Sequence, residues 1–161
     1  MSERVMRSDY MHWAKNQPPA RFNLGSSEVP HYRLDRLPIA IADLGLDVAS
    51  RHRYLPLRQA IGDKYRLAPE GVVPADGTSM ANFLTLAALI APGDEVLIEH
   101  PVYEPLLAAA TFLGARIKRF ARSSDEGFRL DPDAVAQALT PATRLVTLTN
   151  LHNPSGAYAD E

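Results

Sequence analysis

The sequence predicts an α/β fold in which helices cover both faces of a mostly parallel β-sheet, a three-layer αβα arrangement. From residue 71 onward, segments with strand and helix patterns alternate in the order β-α-β-α-β-α-β. This order is typical of parallel sheets joined by right-handed crossovers. One strand segment, Val96-Leu97-Ile98, has no polar alternation, as expected for a strand that is covered on both faces.

The composition is that of a globular protein. The chain has 161 residues, of which 46% are hydrophobic and 22% charged, so it can build a core. A net charge of -2 argues against a dedicated nucleic-acid or membrane surface. The chain has no Cys, which excludes disulfide and thiolate chemistry and fits a cytoplasmic protein. Its first residues lack the apolar core of a signal peptide, and no apolar run is long enough to span a bilayer.

Residues 1–53 are predicted to be an irregular N-terminal segment. Within it, Ser8 to Lys15 favours a short helix, which Gln17-Pro18-Pro19 would end. A long irregular segment is more typical of chain that wraps over a domain or a partner than of a core. The next helix is predicted at Leu57 to Tyr65, where apolar residues recur at helical spacing.

Apolar patterns and turn residues predict the remaining elements. The predicted strands are 71–73, 96–98, 116–120 and 144–149. The predicted helices are 80–91, 105–113 closed by Gly114, and a helix capped by Asp131 that runs through Leu139. The helix at 80–91 is apolar nearly all round, so we expect it to be buried.

Ligands of parallel α/β sheets bind beyond the carboxyl ends of the strands, where this sequence places three candidate loops. The first is Gly77-Thr78-Ser79, immediately before a helix. Its backbone N–H groups, its two hydroxyls and the helix dipole suit a phosphate. A plain Ser/Thr helix cap is the alternative interpretation.

The other two loops offer an aromatic ring and an amide. Tyr103 follows a buried strand and could stack on a flat ligand, although a rim tyrosine is the alternative. Asn153 follows the strand at 144–149; Pro154 favours an extended Asn153, and Gly156 permits a positive φ. Such a loop presents an amide that can grip a phenolic or carbonyl oxygen, although an ordinary Asn-Pro-Ser-Gly turn has the same pattern. Together the three loops indicate a flat, phosphorylated, oxygen-bearing cofactor.

Two long runs of sequence carry a family resemblance: GTSMANFLTLAALIAPGDEVLIEHPVYEPLLAAATFLGARI and FRLDPDAVAQALTPATRLVTLTNLHNPSGAYADE. Over roughly residues 54–161 the chain resembles the class I/II aminotransferases, which are pyridoxal-phosphate enzymes of the aspartate aminotransferase fold. The resemblance implies that residues 54–161 are the first part of the large domain of a fold type I PLP-dependent transferase. It also implies a homodimer that works in amino-acid metabolism.

The resemblance assigns roles to particular residues. Residues 77–79 would hold the phosphate of pyridoxal 5'-phosphate, and Tyr103 would stack on its pyridine ring. Asn153 would hydrogen-bond the ring hydroxyl oxygen and so steady the phenolate form. Tyr54 resembles a tyrosine that reaches the phosphate of the neighbouring subunit. A shifted register would put His52 in that place instead, and a surface tyrosine explains Tyr54 equally well.

Pyridoxal chemistry also needs residues that the resemblance does not assign in this chain. A lysine must form the Schiff base, an Asp must keep the pyridine nitrogen protonated, and an Arg normally grips the substrate carboxylate. In the family all three lie C-terminal to the Asn-Pro loop. The lysines of this chain are Lys15, Lys64 and Lys118, and none stands in the family's lysine motif. We therefore expect the N-terminal portion of an aminotransferase, incomplete at its C-terminal end, without catalytic residues and inactive alone.

The implied reaction transfers an amino group between an amino acid and a 2-oxo acid. Two alternatives stay open: a lyase or decarboxylase on the same fold, because the resembling residues bind cofactor and do not choose the reaction, and a non-catalytic cofactor-binding or interaction module. An isolated chain with an unfinished sheet is also expected to self-associate. The five histidines show no metal-ligand spacing, so we expect no metal site: His12, His31, His52, His100 and His152.

Overall fold

The computed structural model describes residues 6–23, 25, 31–43 and 54–159. The described residues form two compact units, one made of those within residues 1–18 and 76–161 and the other of those within residues 19–75. The predicted division between residues 53 and 54 falls within the second unit and stays a prediction. Residues 44–53, including His52, lie outside the described residues.

The first unit is built on a three-stranded parallel sheet. Its strands are β1 (Glu95–His100), β2 (Arg116–Ala121) and β3 (Thr143–Thr147), in the order β2-β1-β3. The predicted parallel sheet is therefore confirmed, with β1 as its centre. Because all three strands run in the same direction, their carboxyl ends meet at one edge of the sheet.

Helices cover this sheet. They are α3 (Thr78–Leu89), α4 (Glu104–Phe112) and α5 (Pro132–Ala138), and the short α1 (Asp9–Lys15) lies against α4. One face of β1 packs into a cluster with α3 and α4, made of Leu86, Ile90, Val96, Ile98, Ala109 and Ala110. Leu97, which by strand alternation points to the opposite face, is also fully buried. The prediction that β1 is covered on both faces is confirmed.

Local side-chain and backbone chemistry sets several helix ends. The Ser8 side chain accepts a hydrogen bond from the Met11 N–H and starts α1. Asp131 does the same for the Asp133 N–H at the start of α5. Beyond α4, Gly114 takes a φ of 85°, which a residue with a side chain rarely adopts. These three boundaries are local in origin, and the sequence predicted each of them within two residues.

The predicted strand at Gly71–Val73 is wrong. A short 3₁₀ helix occupies Pro69–Gly71, and the Val72 N–H donates to the carbonyl of Pro69. The Val72 carbonyl accepts from Arg58 Nε at 3.0 Å. Both backbone groups of Val72 thus already have hydrogen-bond partners and are not available to a neighbouring strand, so the described sheet has three strands instead of four.

The prediction for the third helix is wrong in two respects. It runs from Thr78 to Leu89 instead of from residue 80 to 91, so the two hydroxyl residues lie inside its first turn. It is also not buried all round: Leu86 is 3% exposed, but Met80, Leu84 and Leu89 are 46%, 46% and 44% exposed. The cause is that β1 and α4 cover one side of this helix only.

The second unit contains α2 (Leu55–Tyr65) and short 3₁₀ helices at Leu34–Arg36 and Ile41–Asp43. The helix predicted at Leu57 to Tyr65 is confirmed as α2. It begins two residues earlier than predicted, because Pro56 is accommodated in the first turn, where its missing N–H costs nothing. Gly62 is buried near the end of α2, and its carbonyl accepts from the Leu67 N–H.

Gly62→Ala is expected to destabilise the chain, although alanine usually favours a helix interior over glycine by about 0.5–1 kcal/mol. The added Cβ would lie 2.6 Å from the backbone oxygen of Leu67, so the turn after α2 must shift. Overpacking of this kind costs about 1–3 kcal/mol in the free energy of unfolding, measured in urea. The matched control is Gly71→Ala, where a Cβ meets nothing within 4 Å. Greater stability of Gly62→Ala would contradict the prediction.

Across the described ranges, no helix combines the length and the hydropathy needed to cross a bilayer.

Candidate functional site

Two of the three predicted loops lie at the carboxyl edge of the sheet and are hydrogen-bonded to each other. The loop after β1 leads through Pro101 to Tyr103, which caps α4. The loop after β3 contains Asn153. His152 Nε2 lies 3.0 Å from the carbonyl oxygen of Pro101 and joins the two loops. The two loops that were predicted to share one site are therefore joined directly by a hydrogen bond.

The Gly77-Thr78-Ser79 segment forms the start of α3. Gly77 is the N-cap residue, with φ 83° and ψ 163°, and no side chain caps the helix there. Thr78 and Ser79 lie in the first turn and are exposed. The first N–H groups of a helix have no partner within it, so this turn and its two hydroxyls form a set of donors. The structure does not have the alternative arrangement, a Ser or Thr at the cap position.

Tyr103 is half-buried between the helix start and α1. Its Oη lies 3.5 Å from Ser79 Oγ, which brings the aromatic loop to the start of α3. On another side, the Tyr10 ring meets it edge-on, with centroids 5.9 Å apart and an interplanar angle of 75°. The Oη of Tyr103 also lies 3.9 Å from Met11 Sδ. No pattern in the sequence indicated that α1 would help to hold Tyr103.

Asn153 has an exposed position on its loop. Its backbone N–H donates to Thr149 Oγ1 at 2.9 Å, and Gly156 completes the turn with φ 77°. Nearby Asn150 is used differently: its amide donates to the backbone of Ala159 at 2.9 Å and accepts from it at 3.1 Å. The Asn150 side chain thus closes the loop, whereas that of Asn153 faces solvent.

Tyr54 belongs to the second unit, where it precedes α2 and is 63% exposed. Its proposed role toward a neighbouring subunit stays a prediction.

A buried ion pair lies beneath the two linked loops, and the sequence interpretation missed it. Arg122 Nη1 donates to Glu99 Oε2 at 2.9 Å, and the exposed fraction of both side chains is 0%. Glu99 Oε1 accepts from the N–H and from the hydroxyl of Thr149, each at 2.7 Å. Arg122 Nε donates to the carbonyl of Phe128 at 2.7 Å. The signal in the sequence was a carboxylate directly after a strand predicted to be buried, because such a charge requires a partner.

His152 has a structural role in this arrangement. A carbonyl only accepts, so Nε2 must donate to Pro101, and in the neutral ring Nδ1 then accepts from Ser155 Oγ at 2.6 Å. The imidazole is 1% exposed and lies against the ring of Phe128, with centroids 5.7 Å apart. Among the residues that the structure describes, no group of three or more His, Cys, Asp or Glu side chains is arranged to hold a metal ion.

Arg119 borders the ion pair on the sheet. It donates from Nη2 to the Glu99 carbonyl at 2.8 Å and lies 3.1 Å from His100 Nδ1. Burial lowers the pKa of Arg119, and the Glu99 carboxylate opposes that shift. The guanidinium remains charged, because arginine does not lose its proton in proteins.

A parallel sheet with loops gathered at its carboxyl edge is typical of ligand-binding α/β domains, and the chain belongs to the aminotransferase class I and II family, whose profile matches residues 20–161. An arginine–pyruvate transaminase from Pseudomonas aeruginosa is 36% identical over 107 residues, covering 63% of this chain and 27% of that protein. Capreomycidine synthase from Streptomyces vinaceus is 40% identical over 105 residues, covering 65% of this chain and 27% of that protein.

Solved structures agree with this assignment. An aspartate aminotransferase double mutant from Thermus thermophilus superposes with a TM-score of 0.63 at 30% identity, covering 66% of this chain and 29% of that one. An alanine aminotransferase from Pyrococcus furiosus also gives a TM-score of 0.63, at 27% identity, covering 67% and 29%. The predicted fold class, part of the large domain of an aspartate-aminotransferase-type fold, is confirmed. The chain spans a little over a quarter of the length of the curated relatives named above.

Proposed function

We propose that the protein containing this chain is a pyridoxal-phosphate-dependent aminotransferase, which moves an amino group between an amino acid and a 2-oxo acid. This chain would supply the part of the large domain that holds the cofactor. The main support is the 3.5 Å approach of Ser79 to Tyr103 and the hydrogen bond between the two loops at the carboxyl edge. Membership of the aminotransferase family and relatives named as transaminases add to that support.

The donor set of the site fits pyridoxal 5'-phosphate. The uncapped first turn of α3 and the hydroxyls of Thr78 and Ser79 would donate to its phosphate. The Tyr103 ring would stack on the pyridine, and the Asn153 amide would donate to the ring hydroxyl oxygen. When bound, the cofactor supplies the electron sink that stabilises negative charge on the substrate. The residues of this chain bind and orient it.

For the whole protein we propose a homodimer in the cytoplasm. The exposed Tyr54 would reach the phosphate of the neighbouring subunit. Further chain or a second subunit would cover the exposed apolar residues of α3, which are Met80, Leu84 and Leu89.

Ser79→Ala is expected to weaken pyridoxal 5'-phosphate binding by about ten- to hundredfold, because a hydrogen bond to a charged group contributes about 1.5–3 kcal/mol. Binding is measured by titration of the cofactor absorbance. Thr85→Ala is the matched control: this hydroxyl lies on the same helix, is exposed and donates to the Ala81 carbonyl, nearly two turns beyond Ser79. Pyridoxal, which lacks the phosphate, should bind the wild type weakly. Its affinity for Ser79→Ala should be equally low. Equal affinities for the two ligands would contradict the phosphate assignment.

A second candidate function is a different pyridoxal-phosphate reaction on the same fold, such as a lyase or decarboxylase reaction. This candidate is kept because a relative at 40% identity over 105 residues is named a synthase and not an aminotransferase. The two candidate functions are distinguished by supplying the complete protein with an amino acid, once with and once without a 2-oxo acid acceptor. An aminotransferase forms the acceptor's amino acid, whereas a lyase or decarboxylase consumes its substrate without an acceptor.

A further inference from the structure

A directional chain of hydrogen bonds runs from the buried Glu99 to the loop of Asn153. The Thr149 hydroxyl lies 2.7 Å from Glu99 Oε1 and 2.9 Å from the Asn153 backbone nitrogen. A backbone N–H only donates and an ionised carboxylate only accepts, so the hydroxyl must accept from Asn153 and donate to Glu99. The orientation of each bond in this relay is therefore fixed.

The carboxylate at the inner end of the relay is held on both oxygens. Arg122 Nη1 donates to Oε2 at 2.9 Å, while the N–H and the hydroxyl of Thr149 donate to Oε1. Arg122 is itself held by the Phe128 carbonyl. Charge-assisted hydrogen bonds in a buried, low-dielectric region are strong and well directed. Glu99 is thus a fixed point against which a loop can be positioned.

The relay holds the chain beyond the end of β3, where strand pairing has stopped. β3 ends at Thr147, two residues before Thr149, although the sequence predicted a strand through residue 149. The Thr149 N–H donates to the Glu99 carboxylate instead of to a strand carbonyl. The path of the chain from the sheet to Asn153 is therefore set by Glu99 and not by strand pairing.

We propose that Glu99 and Thr149 are positioning residues for the cofactor: Glu99 fixes the Thr149 hydroxyl, and this hydroxyl fixes the backbone of Asn153 so that its amide meets the ring hydroxyl oxygen. Neither residue touches the cofactor in this proposal. It rests on the proposed function, since it assumes that the ring lies beside Asn153. Its distinctive consequence is that a side chain facing away from the ligand controls the ionisation of the ligand.

Thr149→Val and Thr149→Ser provide a matched pair, because valine keeps the shape without the hydroxyl and serine keeps the hydroxyl. In the complete protein, Thr149→Val should weaken pyridoxal 5'-phosphate binding about tenfold, as expected for the loss of about 1.4 kcal/mol. It should also move the pH at which the absorbance of the bound cofactor changes to a higher value, because a poorly placed Asn153 amide stabilises the phenolate less. Thr149→Ser should behave like the wild type in both measurements.

Two further measurements separate positioning from general destabilisation. The effects of Thr149→Val and Asn153→Ala on the absorbance pH should not add in the double variant, because both remove the same contact. Hydrogen exchange at the backbone N–H of Asn153 should accelerate in Thr149→Val and stay slow in Thr149→Ser. Equal losses in the Val and Ser variants, or additive effects in the double variant, would overturn the positioning role.

The proposal and the proposed function fail in different ways. If the wild-type protein does not bind pyridoxal 5'-phosphate, both are wrong. If it binds the cofactor and Thr149→Val leaves the affinity and the absorbance pH unchanged, only the positioning role is wrong.

Discussion

Arg122→Met is expected to lower the free energy of unfolding by about 3–5 kcal/mol, because it leaves the Glu99 carboxylate buried without its partner charge. The 0% exposure of both side chains gives water no access to replace the guanidinium. The measurement is urea unfolding, read as a shift of the midpoint at unchanged slope. The slope matters because a change in it would indicate an altered unfolded state instead of a lost interaction.

Two companion variants test the cause of that loss. Glu99→Gln combined with Arg122→Met removes both charges of this pair, and the Gln oxygen still accepts from Thr149, so the double variant should recover part of the stability. Arg122 Nη2 has no hydrogen-bond partner among the described residues, so removing the guanidinium also removes an unsatisfied group. Arg7→Met breaks the exposed pair with Asp9 and should cost less than about 1 kcal/mol. Similar losses for Arg7→Met and Arg122→Met would contradict the role of burial.

The sequence predicted those parts of the fold that depend on local chemistry. Val96-Leu97-Ile98 is recognisable as a fully covered strand because its own residues lack alternation, and Asp131 as a cap because Pro132 follows it. The strand predicted at Gly71–Val73 failed because a strand requires a partner. Its valines fit a strand, but Arg58 takes the Val72 carbonyl from fourteen residues away.

The exposure of α3 shows a related limit. Its composition indicates a helix that prefers to be buried, but composition does not say which surfaces are present to bury it. Phe83 and Leu86 face the core, while Met80, Leu84 and Leu89 remain exposed. The type of element was predicted correctly, and its surroundings were not.

The candidate site was also predicted only in part: its loops were identified, and the residues that support them were not. Turn chemistry and family resemblance identified the three loops, because their signals are short and continuous in sequence. The support beneath them was missed, because it joins residues that are distant along the chain: Glu99 bonds to Arg122 and to Thr149, 23 and 50 positions away. Only the parallel register, which sets Glu99 beside Phe120, brings these groups together.

Leu97→Ala is expected to cost about 2–5 kcal/mol in the free energy of unfolding, because it opens a cavity at the centre of the sheet. Leu97 is 0% exposed, and the register sets it between Lys118 and Val146, so strands on both sides restrict the collapse of the cavity. The control is Leu148→Ala. That side chain lies just beyond β3 and is 41% exposed, so its truncation should cost less than about 1 kcal/mol. Comparable losses in the two variants would contradict the central position of Leu97.

Leu97→Ala should also act on the buried ion pair. Residues two apart on a strand lie on the same face, separated by about 7 Å, so the cavity opens on the side of the sheet that carries Glu99. Combining Leu97→Ala with Arg122→Met should therefore give a loss that differs by more than about 0.5 kcal/mol from the sum of the single losses. Strict additivity would indicate that Glu99 is held by its hydrogen bonds alone, independently of the packing beside it.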